Sequence, residues 1–160
     1  MMQTAEPSTS PPCYSWQRLD DFTPRALHAL LQARVAVFVV EQNCPYQELD
    51  DYDLDAWHLQ VHCNGQLAAC ARVLPPGSKF AQASIGRVLV LPAFRAQKLG
   101  HGLMAEALRF SLSQHPGSGV ALSAQAHLQG FYGAWGFVAS SEVYWEDGIP
   151  HVDMLRPAKS

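Results

Sequence analysis

A chain of 160 residues has the length of one domain, long enough to bury about two-thirds of the surface its unfolded form exposes. Hydrophobic residues make up 48% and charged residues 16%, as in a compact soluble protein, and no apolar run approaches a membrane helix, Val35 to Val40 being six residues. The net charge of −3 and the sparse basic residues exclude a nucleic-acid surface.

Met1 to Ser15 carries Pro7, Pro11 and Pro12 among several Ser and Thr, with no apolar core region. It reads as a flexible tail over residues 1–13 and not as a signal peptide, which leaves one domain over 14–160. Tyr14 to Arg18 is a first edge strand. Thr23-Pro24 opens a helix, with Thr23 as N-cap and Pro24 at the first helical position. Leu27, Leu30, Leu31, Arg34, Val35 and Phe38 lie along its inner stripe, and Asn43-Cys44-Pro45 breaks it. After an acidic loop, Trp57 to His62 alternates as a half-exposed strand. Asn64-Gly65 makes a type I′ turn into a second strand, Gln66 to Leu74. Cys13, Cys44, Cys63 and Cys70 contain no C-x-x-C pair. That spacing suggests neither a zinc site nor a redox motif, and the expected state is free thiols in a cytoplasmic protein without a metal.

A central strand begins at Ile85; Val88 to Leu91 is its buried run, and Pro92 ends it. A short basic loop leads to Leu99, Leu103, Met104, Ala107, Leu108 and Leu112, which recur at helical spacing. A strand feeding a basic, Gly-containing turn into a helix N-terminus presents unpaired N–H groups and a positive dipole end, an anion site most often used for phosphate. No G-x-x-x-x-G-K-[ST] and no G-x-G-x-x-G after the strand is present, which argues against a P-loop and a dinucleotide fold. His115-Pro116-Gly117 stops the helix, and Val120 to Ala124 is a short buried strand. A second helix over Ala126 to Trp135 ends at Gly136 in a left-handed cap. Val138 to Trp145 and His151 to Leu155 close as a hairpin over Asp147-Gly148. The order β-α-β-β-β-α-β-α-β-β predicts an α/β (α+β) single domain, a mixed sheet flanked by helices on both faces.

Charge is segregated. Glu41 to Asp55 holds six acids and no Lys or Arg, whereas from Ala56 to Ser141 Glu106 stands alone against six Lys and Arg. A basic middle suits a polyanionic cofactor, and an acidic lobe suits a cationic acceptor, unless the acid run is simply a solvated loop.

The stretch Val90-x-Pro92-x-x-Arg95-x-x-Lys98-x-Gly100 resembles the acyl-CoA-binding motif of the GNAT acyltransferase superfamily, (Q/R)-x-x-G-x-(G/A), with Lys98 in place of its first glycine. Gln125 to Phe137 resembles the second GNAT motif, with Phe131-Tyr132 and Gly136-Phe137 matched and Gln125 where Asn is usual. Arg34 to Tyr46, Ala124 to Leu128 and Glu146 to His151 resemble the ElaA-like branch of that superfamily. The R-x-x-V-F pattern before the acidic loop is also similar to acyl-homoserine-lactone synthases, which share the fold.

The resemblance implies a GNAT-like mixed sheet and acyl transfer from acetyl-CoA to a primary amine of a small molecule or peptide. The strand end at Val88 and Val90 would meet the pantetheine arm. The loop Arg95, Ala96, Gln97, Lys98, Leu99, Gly100 and His101 would hold the pyrophosphate. Tyr132 would protonate the departing sulfur. Many members carry a Glu base on the central strands, and here Ile85 to Leu91 and Val120 to Ala124 contain no carboxylate. Glu41, His127, His151 or a water chain are the alternatives. Two other functions stay open: a non-catalytic acyl-CoA-binding module, and a lactone-synthase-like acyltransferase. The acceptor and the choice between monomer and homodimer are not written in the sequence.

Overall fold

The computed structural model describes residues 10–159. Strand β1 (Cys13–Arg18) begins at Cys13, one residue before the edge strand expected from Tyr14; residues 1–9 of the expected tail lie outside the described residues. Helix α1 (Pro24–Val35) starts as its sequence requires, the Thr23 hydroxyl accepting the Ala26 N–H at 3.2 Å. It does not stop there. A π-helical segment, Ala36–Glu41, carries the chain on to Asn43, whose φ of 48° ends it.

Strands β2 (Trp57–Cys63) and β3 (Gln66–Leu74) form the expected hairpin, with Asn64 and Gly65 both left-handed at φ 53° and 77°. Strand β4 (Ala83–Val90), helix α2 (Leu99–Gln114), strand β5 (Val120–Gln125) and the short helix α3 (Gln129–Gly133) follow. Gly136 takes the left-handed cap at φ 92°. The stretch from Val138 to Trp145 is not one strand. It divides into β6 (Val138–Ala139) and β7 (Tyr144–Glu146), both paired with β8 (Ile149–Arg156). Ser140 and Ser141 cause the division: the Ser140 N–H donates to the Asp153 carbonyl at 2.8 Å, and the Ser141 hydroxyl takes the Asp153 N–H at 2.9 Å.

The sheet runs β1-β2-β3-β4-β5-β8-β6 with β7 beside β8. Among the described residues only β4 and β5 pair in parallel, and only at Ala83–Val120 and Ser84–Ala121. Beyond those two positions the strands separate, while β4 runs on to Val90 and β5 to Gln125. Leu103, Met104 and Ala107 of α2 are fully buried against one face of the sheet, and Leu30, Ala33 and Val37 pack with Cys70 and Leu89 on the other. Phe110 stacks on Trp16 at 3.7 Å and meets Trp57 edge-on at 5.5 Å, which fixes the C-terminal half of α2 to β1 and β2. All four cysteines are free thiols, and burial pushes Cys70 up to about 12. No helix among the described residues is long and apolar enough to cross a membrane.

Candidate functional site

The acidic loop is not a solvated run. Arg34 is 1% exposed inside what looked like an apolar stripe, and its guanidinium forks between two acids of that loop. Its Nε donates to Glu48 at 2.9 Å, and its two Nη atoms donate to the Asp53 carboxylate at 2.8 and 3.0 Å. Arg72 of β3 donates to both oxygens of Asp50 and to Asp53, and Arg87 of β4 pairs with Glu48 and Asp50 at 2.9 and 3.2 Å. Three buried or half-buried cations thus face three carboxylates, which makes the cluster neutral within itself. Burial alone would raise the Asp53 carboxyl, but the bonds to Arg34 and Arg72 outweigh it and hold it below the usual carboxylate range; Asp50 is lowered in the same way by Arg72 and Arg87. These groups bind protons less readily folded than unfolded, so their contribution is whole above about pH 3.9 and drains away as pH falls through their lower folded values. The urea midpoint should therefore fall between pH 4 and pH 2, and a flat midpoint would contradict the cluster.

The cluster also sets the backbone of β4. Cys70 pairs with Leu89 but Arg72 with Gly86, so Arg87 and Val88 together oppose Ala71 in a β-bulge, with Arg87 left-handed at φ 52°. For a side chain with a Cβ that conformation costs on the order of 1–2 kcal/mol, and the ion pairs of Arg87 with the loop offset it. The bulge lies where β4 and β5 have parted.

A cavity of about 460 Å³ opens at that parting, on the side of the sheet that carries α1. Ser84 to Val88 of β4, Ser123 and Gln125 of β5, His151 of β8 and Glu146-Asp147 of the β7–β8 turn line it, with Tyr46, Tyr52, Phe38 and Phe80 as its aromatic wall. Tyr132 of α3 reaches it from the opposite layer. Burial alone pushes the Tyr132 hydroxyl up to about 12, so it stays protonated at neutral pH. Its ring is held edge-on by Phe131 and Phe137 at 5.1 and 6.3 Å.

The expected anion loop lies outside this cavity, beyond Val88 along β4. A 3-10 turn, Pro92–Gln97, leads to Lys98, left-handed at φ 56°, and α2 begins with no side chain capping it. The first N–H groups of α2, from Leu99 onward, are the ones a helix leaves unpaired. Leu99 itself is buried against Cys63 and Ala68, so only its backbone can serve a ligand. Arg95 is engaged: its Nε donates to the Val90 carbonyl at 3.0 Å, and its guanidinium forks onto Glu41 at 2.5 and 2.8 Å. The Val90 carbonyl is therefore occupied, and Lys98 is the exposed loop cation that makes no ion pair among the described residues. A Cβ on Gly100 would meet only the tip of Phe131 at 4.0 Å, whereas one on Gly102 would run into the Tyr14 hydroxyl. Gly102 thus serves packing, and Gly100 leaves open space at the helix end.

The suggested bases separate. Glu41 is tied to Arg95, which holds its carboxyl below the usual range, and His127 is exposed outside the cavity. His151 does line the cavity, its Nδ1 donating to the Ile149 carbonyl at 2.8 Å. Nothing in the sequence marks Ser123, Tyr144 and Asp153, which form a chain that starts in the cavity lining at Ser123 and leads away from it: Ser123 Oγ lies 2.6 Å from Tyr144 Oη, and Tyr144 donates to Asp153 at 2.6 Å. Strand register alone brings them together, Ser123 opposite Asp153 and Tyr144 opposite His151.

A mixed sheet parted at the parallel pair of β4 and β5 and flanked by helices matches the fold of the GNAT acyltransferases. The chain belongs to the GNAT acetyltransferase family, whose acetyltransferase (GNAT) domain model matches residues 19–156. Within it the chain stands with protein ElaA of Escherichia coli, 47% identical over 145 residues that span 88% of this chain and 95% of that one. An acyl-CoA N-acyltransferase from Pseudomonas aeruginosa superposes with a TM-score of 0.86 at 49% identity, covering 91% of this chain and 99% of that one. The AHL synthase LasI, at 16% identity and a TM-score of 0.70 over 91% and 89% of the two chains, is alike in fold alone.

Proposed function

We propose that this chain moves an acetyl group from acetyl-CoA to a primary amine of a small molecule or peptide, the amine attacking the thioester carbonyl directly. The observation that carries this reading is the gap between β4 and β5 with the protonated Tyr132 at its cavity. The pantetheine arm would enter the gap along Val88 and Val90 and place the thioester beside the bulge. The pyrophosphate would rest on the α2 N-terminus, on the N–H groups of Leu99, Gly100 and His101, with the Arg95–Gln97 turn beside it and Lys98 adding charge. Arg95 contributes first as a clamp between Glu41 and Val90. The acceptor amine would approach through the aromatic cavity. Arginines neutralise Glu48, Asp50 and Asp53 of the acidic loop, so attraction of a cationic acceptor at the cavity falls to Glu146 and Asp147 in its lining.

Tyr132 would act on the leaving sulfur. A thiol loses its proton at about 8.5, well below the tyrosine, so complete transfer is uphill. Tyr132 instead stabilises the departing thiolate by donating a hydrogen bond as negative charge grows on sulfur.

Amine-dependent release of CoA thiol from acetyl-CoA over a panel of primary amines tests the reading. CoA at a hundred times its dissociation constant should also add about 2.7 kcal/mol of stability, read as a rise in melting temperature. A rise without thiol release on any amine would favour a non-catalytic CoA-binding module. Gly100→Glu, which places bulk and negative charge on the pyrophosphate's path, should abolish the CoA-induced rise and leave the melting temperature of the free protein nearly unchanged. A normal rise in that variant would show that the phosphates lie elsewhere.

A further inference from the structure

The acetyltransferase reading leaves one step without an agent. An amine nitrogen that bonds to the thioester carbon must lose a proton, and neither central strand carries a carboxylate at the cavity. The wall of β5 and β8 supplies a route. Tyr144 has one hydroxyl proton and donates it to Asp153 Oδ1 at 2.6 Å. In its 2.6 Å contact with Ser123 it must therefore be the acceptor, and Ser123 the donor. That leaves Ser123 Oγ, on a residue that lines the cavity, with lone pairs to accept a proton. The three hydroxyl and carboxylate groups are thus polarised in one direction, from the cavity to Asp153. Asp153 is partly exposed, which lets a proton leave to solvent.

We propose that Ser123, Tyr144 and Asp153 form a proton relay that deprotonates the acceptor amine as it attacks. The neutral amine forms the C–N bond, and the carbonyl π electrons move to oxygen. The nitrogen, now positive, gives its proton to Ser123 Oγ, the Ser123 proton passes to Tyr144 Oη, and the Tyr144 proton passes to Asp153. The oxyanion then re-forms the carbonyl, and the C–S bond breaks with its electron pair going to sulfur beside Tyr132. Asp153 returns its proton to water, the hydroxyl protons reset, and the thiolate is protonated from solvent. Ser123 is the group that touches the amine; Tyr144 and Asp153 act through it. Glu146 on β7 and His151 on β8 are the titratable neighbours of Tyr144, the His151 ring 6.2 Å away and stacked. His151 and Glu146, which both line the cavity, are therefore the competing bases.

The proposal rests on the acetyltransferase reading, and the test separates the two. Turnover of acetyl-CoA with 2-phenylethylamine, and with Nα-acetyl-lysine amide as a second probe, is compared for the whole protein and for Tyr144→Phe, Asp153→Asn, the double variant, His151→Gln and Glu146→Gln. Tyr144→Phe and Asp153→Asn should each lower kcat about 100-fold, at the lower end of what a general base supplies. Acetyl-CoA affinity should hold. The double variant should be no slower than either single one, because the groups act as a unit. The solvent deuterium effect on kcat, large for several protons in flight, should shrink in both single variants. Should a variant fail to fold, Ser123→Ala removes the cavity end while leaving the Tyr144–Asp153 bond in place, and it should lose the same factor. Variants within threefold of the parent, or a loss confined to His151→Gln or Glu146→Gln, would overturn the relay but not the reading. Absence of amine-dependent turnover in the parent on both probes overturns both.

Discussion

Arg34→Ala should lose about 3–5 kcal/mol of folding stability, the range for removing one partner of a buried ion pair. That is a large share of the roughly 5–15 kcal/mol that holds a domain folded. The loss has two sources. Asp53 and Glu48 stay buried with part of their compensation gone, and the loop they anchor no longer ties α1 to β3 and β4. Because Arg72 and Arg87 share those acids, the damage should spread to the β4 bulge and the cavity wall. Two further measurements separate charge from packing. Arg34→Ala should recover part of its deficit as pH falls towards 4, where the freed carboxylates can protonate. The double variant Arg34→Met, Asp53→Asn should be more stable than Arg34→Ala, since it leaves Arg72 paired with Asp50 and Arg87 with Glu48 and buries no excess charge. A urea titration showing a loss below 1 kcal/mol for Arg34→Ala would contradict the cluster's structural role.

Tyr132→Phe should lower kcat about 100-fold, the lower part of the range for losing one donor at a developing charge. The thiolate leaves tolerably without help, which keeps the effect at that end. The ring remains, so its contacts with Phe131 and Phe137 persist, and acetyl-CoA should bind almost as before. A purely structural Tyr132 predicts the opposite pattern: a shift in melting temperature with turnover of the folded protein unchanged. Melting temperature, CoA affinity and kcat from one preparation decide between them.

Local chemistry made much of the fold legible. Thr23-Pro24, Asn64-Gly65, Asp147-Gly148 and Gly136 each determine a backbone conformation within a few residues, and each does so in the structure. The strand, basic turn and helix from Ile85 onward were legible for the same reason. What the sequence hid depends on distance. Arg34 looks like an interruption of an apolar stripe, because its partners lie 14 and 19 residues away on a loop whose acids look solvent-facing. Nothing local marks Arg87 as left-handed; the ion pairs that sustain it come from Glu48 and Asp50. Ser123, Tyr144 and Asp153 sit on three strands, and only the register of β5, β7 and β8 makes them one chain. Arg95 stands at a phosphate-ligand position in the sequence motif, and its bond to Glu41 spans 54 residues that no periodicity records.

Direct transfer of acetyl from CoA to an amine is the central claim, and following the acetyl carbon tests it most directly. The protein is mixed with acetyl-CoA carrying an isotopic label in the acetyl group, with and without the amine panel, and protein and small molecules are weighed by mass spectrometry. Label should appear in an amide, formed only when amine is present and in step with CoA release, with no labelled protein in its absence. Label on the protein before amine is added, or release of CoA at the same rate with no amine, would contradict it.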